Sequence, residues 1–260
     1  MATILVKYKK PEWGMMMQSM IIAGAEVVEL GEDLTKYDDL LWFESSPPPV
    51  KCGWWMCDLR DPKMMDRIDT KAIFLCNKEY IKDYKEHFDC PVHYMPQCGY
   101  DAPIEKGREV KSDIVFIGGM TSGFHINRSE YVKAIKGYNL LHIKNERFTK
   151  DQKYIYKNTP ISLAISPQAE GYTSNRLYNI LSSQGFCLTL YFPGIEDLFE
   201  NKKHLVWFKN KEEMLELIDY YLKHKKERDA IALNGYKEYQ KKHTAKHRLT
   251  NIFKILYDTN

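Results

Sequence analysis

The feature that most constrains this chain is a rhythm: short β-rich runs alternate with helix-period segments, pause over residues 97–111, and then resume. In the first block Thr3–Lys7, Ala25–Leu30, Leu40–Phe43, Thr70–Cys76 and Pro91–Met95 read as strands. Helices are predicted over Trp13–Ala23, where Met16, Met17, Met20 and Ile21 share one face ahead of Gly24, and over Lys78–Phe88. The stretch Gln97–Lys111 carries two glycines, a proline and mixed charge, and reads as a linker. After it, strands are predicted at Asp113–Gly118, Leu140–Ile143, Ile161–Ile165, Phe186–Leu190 and His204–Phe208. Helices fall between them, with Asn127 as an N-cap, Thr149 opening a T-x-x-Q capping box and Asn210 opening another. Two more helices, about Glu227–Lys242 and Ala245–Leu256, end the chain. Strands alternating with helices call for parallel sheets with crossovers. The expected fold is therefore α/β, with two Rossmann-like domains over 1–105 and 106–244 and a last helix within 245–260.

Composition narrows the function classes. The 260 residues are 44% hydrophobic and 28% charged, ample for a real core and unlike a disordered chain. No apolar run reaches the ~18–20 residues a membrane span needs, and MATILVKYKKPEWG does not read as a signal peptide. The expected location is the cytoplasm, with Cys52, Cys57, Cys76, Cys90, Cys98 and Cys187 as reduced thiols; no C-x-x-C pair occurs. Cys52, Cys57 and either His87 or His93 fit no common zinc spacing. Charge is uneven: residues 1–100 hold 12 basic and 16 acidic side chains, net −4, so the remainder, at net +7, is where an anionic ligand is expected.

Three stretches can carry chemistry. In SPQAEGYTSNRLYNILSSQG (Ser166–Gly185) a strand ends, a polar loop with Gly171 follows, and a helix starts near Ser174. Open α/β sheets bind ligands beyond the carboxyl ends of their strands, and a helix N-terminus there suits a phosphate. Thr173 and Ser174 offer hydroxyls, Arg176 a cation able to grip two phosphate oxygens, and Asn179 a group for a sugar hydroxyl. A plain N-cap with a solvated Arg176 fits the same spacing. In FIGGMTSGFHINR, Gly118, Gly119 and Gly123 permit close backbone approach and Arg128 opens the next helix; an ordinary βα turn reads identically. In GWWMCDLRD, after the stiff SSPPPV, Trp54 and Trp55 beside Asp58 and Arg60 suit a cleft mouth, with indoles for a sugar or base and Asp58 as a base. The other reading puts both tryptophans in the core and has Asp58 pair with Arg60 or cap a helix at Pro62. No G-x-G-x-x-G, G-K-[ST], D-x-D, G-x-S-x-G or H-E-x-x-H occurs.

The second half resembles the glycosyltransferase group 1 family, in particular its spore-maturation-protein-B-like subgroup. The likeness rests on FIGG with Arg128 downstream, then ISLAISPQAEGYTSNRLYNILSSQG, FCLT, Gly194-Ile-Glu-Asp-Leu-Phe and the ending ERDAIALNGYKEYQKKHTAKHR, about residues 110–250. The first half matches only through MPQCGYD. The resemblance implies a GT-B fold, two domains facing across a cleft, with the last helix crossing back to the first domain. It also implies sugar transfer from a nucleotide-sugar co-substrate such as a UDP-sugar, with no metal and no cofactor. Donor contacts would fall to Gly118, Gly119, Arg128, Gly171, Tyr172, Thr173, Ser174, Arg176 and Asn179; Trp54, Trp55 and Arg60 would face the acceptor, with Asp58 as base. Members usually carry a glutamate where Asn179 stands, and that carboxylate holds the donor's ribose hydroxyls; asparagine keeps hydrogen bonds and gives up the charge.

The acceptor stays open. The compact build and the richness in Lys and Tyr are reminiscent of virus-encoded enzymes, some of which glycosylate hydroxymethylated bases in DNA, and Lys7, Lys9 and Lys10 could touch a phosphate backbone. A glycan, lipid-linked sugar, protein or small molecule fits as well. A non-catalytic nucleotide-sugar- or glycan-binding protein on the same scaffold is the alternative, favoured by Asn179.

Overall fold

Runs such as TILV, LLWF and AIFL are apolar on both sides of the pleat, which suits a parallel sheet covered on both faces. The computed structural model describes residues 3–6, 15–29, 31–37, 39–44, 46–120, 128–144 and 151–258. Lys7, Lys9, Lys10, Gly123, Asn127 and Thr149 lie outside the described residues. The chain divides into two compact units: Met1–Asp101 with Ala169–Thr173 and Thr244–Asn260, and Ala102–Gln168 with Ser174–His243. The second stretch is thus not continuous: residues 169–173 group with the first unit.

The first unit holds strands β1 (Thr3–Val6), β2 (Glu26–Glu29), β3 (Leu40–Phe43), β4 (Gly53–Met56), β5 (Ala72–Leu75) and β6 (Val92–Tyr94). All pair in parallel in the order β2-β1-β3-β4-β5-β6. Helices α1 (Met15–Ile22) and α2 (Ile81–His87) connect strands, and the last helix, α8 (Ala245–Asp258), belongs to this unit. Strand β4 was not anticipated: GWWM read as a cleft motif is a central strand. Because successive side chains leave a strand on opposite faces, Trp55 enters the cluster with Met17, Met20, Leu249 and Phe253, while Trp54 enters the one with Tyr84 and Phe88. Gly53 is demanded by packing, since a Cβ there meets Leu256 Cδ1 of α8 at 2.8 Å.

Residues 95–100, expected to begin a linker, are buried. Their polar groups explain why. Ser19 Oγ donates to the Gly99 carbonyl (2.9 Å) and accepts from the Asp101 amide (3.0 Å). Asp101 Oδ2 accepts from the Ala245 amide at the start of α8 (2.9 Å), and Arg248 Nε donates to the Gln97 carbonyl (3.1 Å). MPQCGYD is the seat of α1 and α8.

The second unit holds β7 (Ile114–Ile117), β8 (Leu140–Ile143), β9 (Ile161–Ala164), β10 (Cys187–Leu190) and β11 (Val206–Phe208), parallel in the order β11-β10-β9-β7-β8. Helices α3 (Arg128–Ala134) and α6 (Lys211–Lys223) pack into one apolar cluster, and α4 (Asp151–Asn158), α5 (Asn175–Ser182) and α7 (Lys225–Lys242) into another. The Asn210 cap forms as expected, its Oδ1 accepting from the Glu213 amide (2.8 Å). The box at Thr149 does not close through Gln152, whose carboxamide is buried with no hydrogen-bond partner on either atom.

Gly235 tests how tightly α7 is seated: a Cβ there collides with the His204 carbonyl oxygen and comes within 2.8 Å of Leu181 Cδ2. Gly235→Ala should destabilise by about 1–3 kcal/mol, the cost of overpacking. Gly137→Ala, where nothing lies within 4 Å, should stay within ~0.5 kcal/mol of the parent. Urea unfolding midpoints of the two variants check the contrast; equal midpoints would show that α7 sits more loosely.

Candidate functional site

In both sheets the strand order reverses beside the first strand, between β1 and β3 and between β7 and β9. Such switch points open crevices at the carboxyl ends of the strands. In the second unit that end gathers charge. Arg128, buried on the first turn of α3, donates from Nε to the Ile165 carbonyl (2.9 Å) and from Nη1 to the Gly119 carbonyl (3.3 Å). Arg176, on the first turn of α5, donates from Nε to the Ile117 carbonyl (2.6 Å) and from Nη1 to the same Ile165 carbonyl (3.2 Å). Two guanidiniums therefore converge on one oxygen just past β9. The Arg176 guanidinium also lies over the Phe116 ring, 5.2 Å from its centroid.

Gly118 is the residue that makes room. Its φ is +150°, and a Cβ there collides with Arg176 Nη2. Its amide donates to the Ile143 carbonyl of β8 (2.9 Å), so it is committed to the sheet and does not serve as an oxyanion donor, contrary to expectation; the Gly118 carbonyl meets His142 Nε2 at 3.0 Å. Gly119 contributes its carbonyl to Arg128.

Ser174 occupies the N-cap of α5 with extended backbone but makes no capping bond; its hydroxyl instead accepts from Ser166 Oγ (2.7 Å). The positive end of α5 is not closed by its own cap. Asn179 is 2% exposed within α5, and its backbone carbonyl accepts from the Ser183 hydroxyl (2.6 Å). Ser166, Phe116 and the Ile165 carbonyl were not anticipated; the only sequence signal for them was their place at strand ends.

The turn 169–173 is built by the first unit. The Lys78 amide donates to the Glu170 carbonyl (2.7 Å), the Glu170 amide donates to Glu79 Oε2 (3.0 Å), and Tyr94 Oη donates to the Gly171 carbonyl (2.8 Å). Gly171 adopts φ +67°, a conformation that favours glycine. Tyr172 is buried against Leu59 and Cys76, which brings the Asp58–Arg60 loop and this turn into one cluster. Thr173 is fully buried and its hydroxyl has no hydrogen-bond partner.

Asp58 and Arg60 are exposed beyond the carboxyl end of β4. Capping at Pro62 falls to Asp61, whose Oδ1 accepts from the Lys63 amide (2.9 Å). Trp54 and Trp55 must be corrected: both are 0% exposed, with their indole N–H groups donating to the Glu44 (2.8 Å) and Met95 (3.2 Å) carbonyls, so neither offers a stacking face. The thiols near Asp58 are inert: burial pushes Cys76 up to about 12 and Cys57 well above its ordinary value. Among the described residues no group of three His, Cys, Asp or Glu side chains is placed to hold a metal, and no helix is long and apolar enough to cross a membrane.

Comparison with known proteins places this architecture. No curated protein matches the chain in sequence. Among solved structures, the DNA-modifying enzyme β-glucosyltransferase superposes with a TM-score of 0.67 at 13% identity, covering 99% of this chain and 100% of that one. Alr3699/HepE of Anabaena, solved with UDP and glucose, gives 0.68 at 9%, covering 99% of each chain. Sucrose-phosphate synthase of Thermosynechococcus elongatus gives 0.62 at 7%, covering 100% of this chain and 99% of that one. At such identities the likeness is one of fold, GT-B. The glycosyl transferase-like family profile matches residues 114–254, more than half of the chain and the whole stretch that carries the paired arginines and α5, and the chain belongs to that family.

Proposed function

We propose that this protein transfers a sugar from a nucleotide-sugar donor to an acceptor hydroxyl without a metal ion. The observation that carries the reading is the pair of guanidiniums on the Ile165 carbonyl beside the uncapped end of α5. In the transfer the bond between the anomeric carbon and the diphosphate breaks, and its electron pair leaves with the diphosphate. The acceptor oxygen forms the new bond and its proton passes to a base. The added negative charge is what Arg128, Arg176 and the α5 terminus are placed to meet, fixed by the backbone before any ligand arrives. The neutralising charge comes from the chain itself, which is why a metal is left out of the scheme. The base is Asp58: Leu59 against Tyr172 seats its loop on the donor turn.

UDP is the first nucleotide to test, because fold relatives were solved with UDP or UDP-glucose. For the acceptor the two leading classes are a hydroxymethylated base in DNA and a glycan; likeness over 99% of the chain to a DNA-modifying glucosyltransferase supports the first. The order of FIGG, Arg128 and SPQAEGYTSNRLYN supports the spore-maturation-protein-B-like subgroup. A second reading, binding without catalysis, is favoured by one observation: position 179 carries no carboxylate.

A panel of UDP- and GDP-sugars decides between them. A donor at ~100 times its Kd should stabilise the protein by ~2.7 kcal/mol and, with a suitable acceptor, release free nucleotide. Stabilisation without release under any acceptor leaves the binding protein; no stabilisation by any nucleotide sugar sinks both. Arg176→Ala should slow turnover by about 10²–10³-fold, the usual cost of one donor to developing charge; near-normal turnover removes Arg176 from the site. Asp58→Asn should lower kcat by about 10²–10⁴-fold with the fold intact, and a parental rate retires Asp58 as the base.

A further inference from the structure

We propose that Lys78, a residue outside every motif of the donor half, is a third cation for the donor's diphosphate. The inference rests on the reading of the 171–176 turn and helix as the diphosphate site, and adds a residue that this reading does not contain.

Lys78 follows β5 at its carboxyl end, the end where doubly wound sheets bind ligands. Its loop is set by Asn77, whose Oδ1 accepts from the Tyr80 amide (3.0 Å). The Lys78 backbone is tied to the donor turn through Glu170, and its side chain is tied there as well. At Gly171 a Cβ would lie 2.8 Å from Lys78 Cγ and 3.2 Å from Cδ, so the lysine stem runs across the bare glycine. Glycine is needed at that point twice over, for φ +67° and for the stem. The ammonium then lies over the Tyr94 ring, 5.4 Å from its centroid, and Tyr94 itself holds the Gly171 carbonyl.

A surface lysine ordinarily spends much of its binding on the loss of rotamer freedom. Here the stem is ordered by the turn, so a ligand meets a cation already in place. Thr173 is an independent pointer to a polar ligand: two residues beyond Gly171 its hydroxyl is fully buried and unpartnered, which native proteins rarely leave uncompensated. The carboxylates closest in sequence to this cation are Glu79 and Glu170. Both residues are exposed, and Glu79 is engaged by the Glu170 amide, so water and that bond blunt their opposition to an anion.

The test is calorimetric titration of UDP and of uridine into the whole chain and three variants, Lys78→Met, Lys78→Arg and Arg176→Ala. Lys78→Met keeps the stem and removes the charge. It should weaken UDP by about 10–100-fold, the range for a hydrogen bond to a charged group. Uridine binding and the ligand-free melting temperature should stay unchanged, and Lys78→Arg should recover most of the loss. Unchanged UDP affinity in Lys78→Met, with Arg176→Ala weakened, overturns the role of Lys78 and leaves the donor reading standing. Parallel loss of UDP and uridine assigns Lys78 to folding of the turn and overturns it too. A parent chain that binds no UDP removes the diphosphate site and this inference with it.

Discussion

The site depends on one carbonyl oxygen. Two guanidiniums repel each other, and burying them adds a desolvation cost that neither repays alone. Ile165 lies at the carboxyl end of β9, next to the switch point, where a strand's last carbonyls run out of ladder partners. Its oxygen accepts from Arg128 and Arg176 at once, and Ile117 and Gly119 supply the flanking acceptors. The switch in strand order is what sets the ends of β7 and β9 side by side. The glycine at 118 follows from the same constraint, because the Arg176 guanidinium lies where a side chain would begin.

Much of this was legible in the sequence, and the failures have physical causes. Apart from β4, the strands were visible as short β-rich runs between breakers, and the Asn210 cap announced α6. Strand β4 was misread because adjacent tryptophans look like a surface motif when only the loop chemistry around them is weighed. A parallel sheet covered on both faces can hide two consecutive large residues, one per face. The buried segment 95–100 was misread because Gly, Pro and polar residues mark loops, and nothing local reveals that Ser19 and α8 consume its polar groups. Arg128 and Arg176 were identifiable from their places on first turns, but their shared acceptor was not. Lys78 lay 93 residues before Gly171 with no motif to link them.

Position 179 fits this electrostatic picture. A carboxylate at a site 2% exposed within α5 carries a desolvation cost that only a bound ligand or fixed donors offset. The carboxamide avoids that cost and keeps the capacity to donate and accept, while conceding charge-assisted contact with a ribose. Recognition in this chain is therefore weighted toward the diphosphate, where the cations are, and away from the nucleoside sugar.

The turn 169–173 extends the same logic to backbone geometry. Its conformation is imposed from the first unit by the Lys78 amide, Glu79, the Tyr94 hydroxyl and the apolar seat of Tyr172, and the chain then runs straight into the N-cap of α5. Ser174 is turned toward Ser166 and Thr173 has no partner, so the entrance to α5 is left uncapped in a fold that otherwise satisfies its helix ends where it can, as at Asn210. An uncapped, buried helix entrance costs stability in the empty protein and regains it when an anion supplies the missing acceptors. Ligand affinity and the stability of this turn are thus two readings of the same unsatisfied groups, and substitutions in β5, β6 or their loops act on donor binding through the backbone at Gly171.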